Sequence, residues 1–201
     1  VSDLLFPGFR KFGVRPLSTE YGIEFFYEFG HDYYWDEETA AWGNREFSIH
    51  GPCVAVDLAD KDNLNYLPAF EATFKYAQKI KSQFVVVHTN ECLPADLKAG
   101  QELVISRLAE LLDMAKAYGV TLVIENVGLR TKGNVLFTLE EYYALFERFP
   151  QAMSLIDTGH AHVNGWDIPA VVEKLGDKLF FFLLNDSAGA SYEPLLLKKD
   201  T

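Results

Sequence analysis

The sequence predicts an α/β protein with a parallel sheet, wound as a (β/α)8 barrel of which about six strands are readable. Three observations predict it. Short runs of consecutive apolar residues alternate with longer segments whose apolar residues recur at helical spacing, as in a parallel sheet covered on both faces. Several of those runs end on polar residues: His50, His88, Glu125, Asp157 and the pair Asn185-Asp186. No Gly-rich phosphate loop follows any of them, which disfavours a dinucleotide fold. Continuously apolar strands alone would also suit a doubly wound open sheet. Polar groups delivered by many strands favour the barrel, whose carboxyl-end loops build one shared site; an open sheet draws its site from one crevice.

Taken in order, Val1 to Phe12 carries apolar residues at roughly helical spacing and reads as the tail of a helix. Gly22 to Phe29 reads as an aromatic-rich strand, with Phe25, Phe26, Tyr27 and Phe29 as core and Glu24 either lining the barrel or pairing with a base. Asp32 to Trp42 is a short helix or loop. Glu46 to His50 is a strand stopped by Gly51-Pro52. Leu64 to Lys81 is a helix with Pro68 near its start. Phe84 to His88 is the strongest strand signal, being β-branched throughout its centre. Asp96 to Tyr118 is a long helix with Leu103, Leu108, Leu111, Leu112 and Ala115 buried, and Gly119 stops it. Thr138 to Glu141 is a capping box opening a helix that ends near Pro150. Asp167-Ile-Pro169 opens another, with a capping acid and an early proline. Lys178 to Leu184 is the last readable strand.

The 201 residues suffice for one domain, 1–201, with a sizeable core. Apolar residues make up 49% and charged residues 23%, as in globular proteins generally. A net charge of -11 makes a nucleic-acid partner unlikely, since such binders need a basic surface to displace counterions. No run is long enough to span a bilayer, so no membrane role is expected. Two cysteines, Cys53 and Cys92, are too few for a disulfide framework; they read as small core residues in a reducing, cytoplasmic setting.

Two stretches carry the chemistry. Met153 to His162 is an apolar run ending in Asp157, with His160 three positions on; Val120 to Asn126 ends in Glu125. Parallel strands would aim both carboxylates at one point, as a metal or acid–base site requires. A buried acid such as Glu125 needs a partner or a metal. Each residue also has a plainer reading. Asp157 before Thr-Gly could cap the next turn. His50 and His88 could be hydrogen-bonded groups at the core's edge, and His162 a loop histidine.

Val-Ile-Glu-Asn (123–126), Ile-Asp-Thr-Gly-His (156–160) and Leu-Leu-Asn-Asp (183–186), with Ser-Ile-His-Gly-Pro (48–52) and Val-Val-His (86–88), resemble the xylose isomerase-like TIM barrels. That superfamily holds sugar isomerases and epimerases, inosose dehydratase-type enzymes and the endonuclease IV group. The resemblance spans roughly Gly22 to Gly189. It implies a divalent metal (Mn, Mg or Zn) held by Glu125, Asp157 and His160, with Glu125 also catalytic. It implies substrate contacts from His160, His88, His50 and Asn185, and makes His88 a metal ligand if the chain follows the endonucleases.

The departures shape the expectation. Leu183 stands where the family has a histidine ligand, and Tyr192-Glu-Pro194 where the endonucleases have Asp-x-His. The first strand and the last, with its metal-binding glutamate, are expected to be missing. The reading is a metal-dependent sugar or sugar-phosphate isomerase or epimerase that binds its metal weakly. It acts on a small sugar or polyol, and the sequence is compatible with a homo-oligomer without fixing the oligomeric state. The alternatives are an endonuclease IV-like abasic-site hydrolase and a non-catalytic barrel that binds a polyol or a protein.

Overall fold

The computed structural model describes residues 1–3, 14–28 and 30–184. Six strands form one sheet: β1 (Ile23–Phe26), β2 (Phe47–His50), β3 (Val85–Val87), β4 (Leu122–Glu125), β5 (Met153–Asp157) and β6 (Leu179–Leu183). Their spatial order is their chain order, and every neighbouring pair is parallel. A doubly wound sheet would reverse direction at a switch point; this one advances one way, as a barrel wall does. The sheet is also curled. Strands three apart in a flat sheet lie roughly 14 Å apart, yet the ring of Phe84, at the entry to β3, sits 5.3 Å from that of Phe181 on β6. The fold is an incomplete TIM barrel, about half closed.

The helices are α1 (Asp32–Trp42), α2 (Tyr66–Ile80), α3 (Leu97–Tyr118), α4 (Leu139–Arg148), α5 (Thr158–Asn164) and α6 (Ile168–Leu175). Their ends follow the sequence. Asp96, Thr138 and Asp167 each accept a first-turn N–H, and Thr138 with Glu141 forms the full capping box. On α2, Phe70, Thr73, Phe74 and Ala77 fall on one buried stripe. On α3 the expected stripe is corrected by one position: Val104 and Arg107 are buried and Leu103 is only half-buried. Arg107 is tolerated there because its guanidinium donates to the carbonyls of Asp57, Leu58, Asp60 and Lys61 and stacks on Tyr66.

Alternation along the strands sorts their side chains. Ile23, Phe25, Ile49, Val85, Val87, Leu122, Ile124 and Ile156 pack outward into the main core under the helices. Phe84, Val86, Val123 and Leu155 form a second apolar cluster on the inner face, with Met153 and Leu183 against it. One register step further, the inner face carries His88, Glu125 and Asp157.

The reading of the chain's start as a helix tail is corrected where it can be checked. Ser2 pairs parallel with Glu24, so Val1 and Ser2 lie beside β1, and Asp3 is in a 3-10 turn; residues 4–13 lie outside the described residues, as does Phe29. Among the described residues, no helix is long and apolar enough to cross a membrane.

Candidate functional site

At the carboxyl ends of β2 to β5, four expected side chains converge. Glu125, the last residue of β4, is 2% exposed. Its Oε2 lies 3.1 Å from His88 Nε2 and 3.4 Å from His50 Nε2, and its Oε1 lies 3.4 Å from His160 Nδ1. Burial by itself would push the Glu125 carboxyl up; the charge of His88 and hydrogen bonds from His160, His50 and His88 outweigh it and hold the group well below the usual carboxylate range. Burial likewise works against a charged His88, but Glu125, with hydrogen bonds to Cys53, Glu125 and Glu91, raises it well above an ordinary histidine. His160 is raised too, against its burial, by Glu125 and Asp157.

Asp157 is wholly buried at the end of β5. It does cap the following turn: its Oδ1 accepts the His160 N–H at 2.8 Å. The cap and a ligand role are compatible, since the donor atoms of Glu125, Asp157 and His160 all lie within 4.8 Å of one another. Asn126 fixes the spacing of the two strands that carry the acids. Its Oδ1 accepts from Asp157 N at 2.6 Å and its Nδ2 donates to Asp157 O at 3.2 Å. Tyr142 braces the same strands from outside, its hydroxyl lying within hydrogen-bond reach of Ile124 O, Ser154 Oγ and Leu155 O.

Gly51 lets β2 and β3 close up beside His50: a Cβ there would stand 2.4 Å from Val86 O. Leu183 pairs with Asp157 in register and packs on the inner face. His162 is exposed on the last turn of α5 rather than in a loop. Asn185, Tyr192 and Pro194 lie outside the described residues.

The cysteine reading needs correcting. Cys92 is exposed. Cys53 is buried, but its donor atom lies within 4.8 Å of those of His50 and His88, and its thiol hydrogen-bonds to His88. The spacing His50-Gly51-Pro52-Cys53 was the available signal. Glu28, Glu91 and Asn126 had none, because they act through backbone or through another side chain.

This curled parallel sheet, with acids and imidazoles on its carboxyl rim, defines an incomplete TIM barrel. The family model described as the xylose isomerase-like TIM barrel matches residues 22–195, and the chain belongs to that family. Family members usually bind a divalent metal. No curated protein matches the chain in sequence. Among solved structures, a D-tagatose 3-epimerase-like protein is similar with a TM-score of 0.78 and 20% identity, over 98% of this chain and 79% of that one. D-psicose 3-epimerase from Clostridium cellulolyticum H10, solved with D-tagatose, gives 0.70 and 16%, over 86% and 66%. An AP endonuclease, family 2, from Brucella melitensis gives 0.66 and 16%, over 80% and 67%. These likenesses show the fold.

Proposed function

We propose that the protein is a metal-dependent sugar or sugar-phosphate isomerase or epimerase that moves a proton next to a carbonyl. One observation carries the reading: Glu125, buried at the barrel's carboxyl rim, is held ionised by three imidazoles with Asp157 beside it. The epimerase neighbours are consistent with a small sugar as substrate.

The donor set fits a divalent ion. Two carboxylates and an imidazole, from Glu125, Asp157 and His160, bring their donor atoms within 4.8 Å of one another, and such a set suits Mn²⁺ or Zn²⁺. When bound, such an ion polarises a carbonyl or alkoxide oxygen. The protein's own groups do the rest. Glu125 stays deprotonated, the form that both a ligand and a proton acceptor require. His88 holds a proton between its Nε2 and Glu125 Oε2, and His160 is poised to touch a sugar hydroxyl. Leu155, Val123 and Val86 floor the site with apolar surface, which keeps water away from the reacting carbon.

The test is solvent exchange. Ketohexoses, aldoses and their phosphates are incubated in D₂O with Mn²⁺ or Zn²⁺, and deuterium beside the carbonyl is read by NMR. The expected result is incorporation by wild type and none by Glu125→Gln. Incorporation by neither would remove the reading. A second reading, an endonuclease IV-like hydrolase, is favoured by the contact of His50 and His88 with Glu125. Cleavage of abasic-site DNA in the same preparations would put it first.

A further inference from the structure

The loop that follows β3 reads His88-Thr-Asn-Glu91-Cys-Leu-Pro94, and it is tied to the loops on both sides. Asn90, buried, donates to the carbonyls of Asn134 at 3.0 Å and Cys92 at 3.5 Å. Asn134, on the loop after β4, donates back to the Glu91 carbonyl at 3.2 Å and accepts the Leu129 N–H at 2.8 Å. Asp57, on the loop after β2, accepts the Cys92 N–H at 3.0 Å. Pro94 fills the space that Gly100 of α3 leaves open. The backbone on either side of Glu91 is therefore held, which fixes where its side chain starts.

The carboxylate is fixed as well. Glu91 Oε1 lies 2.7 Å from His88 Nδ1, yet the side chain is 39% exposed. One oxygen is engaged, and among the described residues the other has no partner. Glu91 and Glu125 share His88 as an ion-pair partner, so one imidazole cannot neutralise both, and Glu91 keeps negative charge toward solvent. One imidazole ring and two hydrogen bonds separate the two acids. The carbon chain of a pentose or hexose spans that distance. A sugar whose carbonyl lies at Glu125 and whose chain runs over His88 brings its far hydroxyls to the outer oxygen of Glu91. A carboxylate held in place accepts a hydroxyl in a short, charge-assisted bond. The same charge repels a phosphate dianion at that position.

We propose that Glu91 is a substrate-binding residue that accepts a hydroxyl remote from the carbonyl, that the substrate is therefore an unphosphorylated sugar, and that Asn134 is the positioning residue that holds Glu91 in place. This rests on the isomerase or epimerase reading and narrows it to one substrate class.

The test compares D-fructose with D-fructose 6-phosphate in the D₂O exchange assay with Mn²⁺. Wild type should exchange the free sugar with a kcat/KM at least about tenfold above that for the phosphate. Glu91→Gln should raise KM for D-fructose about tenfold with a much smaller loss in kcat, and should narrow the preference against the phosphate. Asn134→Ala should raise KM in the same direction; a fall in kcat with KM unchanged would remove its positioning role. Equal or better use of the phosphate by wild type, or a Glu91→Gln variant with unchanged KM and unchanged preference, would overturn the proposal while leaving the isomerase reading in place. Binding of the same two sugars, followed by NMR without turnover, separates the opposite failure. Binding of D-fructose that Glu91→Gln weakens, with no exchange, would sink the isomerase reading and support the role of Glu91. No binding of D-fructose to wild type would overturn the proposal.

Discussion

At the scale of single residues, Glu125 decides most. It is buried among His50, His88 and His160, so its charge is paired rather than stranded. Replacing it by glutamine keeps the shape and removes the charge. Activity should be lost with the fold intact, and stability should not rise by more than about 1 kcal/mol, since only an unpaired buried charge is relieved by neutralisation. Sugar exchange and a thermal melt of Glu125→Gln check this, and a fully active variant would exclude both roles for the residue. Leu183 is the complementary case. It lies on the inner face in register with Asp157, where an imidazole could reach the Glu125–Asp157–His160 group. Leu183→His should tighten Mn²⁺ or Zn²⁺ binding by about tenfold or more. Calorimetry that finds the affinity unchanged would show that this side chain does not face the ion.

At the scale of elements, the strands and caps were legible because they obey local rules. The β-branched run at Val85–Val87 and the acids at Asp96, Thr138-Glu141 and Asp167 announce themselves in a handful of residues. Glu125, Asp157, His88 and His50 were legible as candidates because each ends an apolar run. Cys53 was not, because its meaning depends on a turn folding back over β3, and that turn is set by Glu28 from another element. The buried Arg107 was hidden for the same reason: its partners are backbone carbonyls some fifty positions away. The start of the chain misled because apolar spacing alone cannot tell a helix from a chain paired at a barrel's edge. The Glu28 turn is itself testable. Glu28→Gln leaves one acceptor oxygen for three N–H groups and removes the charge, so it should cost about 1–3 kcal/mol. Denaturant unfolding of the variant beside wild type would show it. An unchanged midpoint would mean that the turn is held by packing alone.

For the whole molecule, the consequence of gathering acid and imidazoles at one rim is a stability that depends on pH. In the metal-free protein, Glu125 is held well below its ordinary value of 4.5, with burial opposing and His88, His160 and His50 prevailing. Its contribution is therefore present above 4.5 and is lost as pH falls through the lowered value. His88 is held well above its ordinary 6.5, again against burial, by Glu125, Cys53 and Glu91. Its contribution is full below 6.5 and is lost as pH rises through the raised value. His160, raised against its burial by Glu125 and Asp157, follows His88. The site thus stabilises the metal-free chain most between 4.5 and 6.5, and thermal melts in chelator should peak in that window. Glu125→Gln removes the group on which both shifts depend, so its profile should be flatter. Zinc should move the maximum the other way. An ion needs its imidazole ligand neutral and its carboxylates ionised, so it competes with protons and stabilises more as pH rises. A metal-free profile that climbs steadily from 4.5 through neutrality, with Glu125→Gln parallel to wild type, would show that the histidines around Glu125 do not hold it charged.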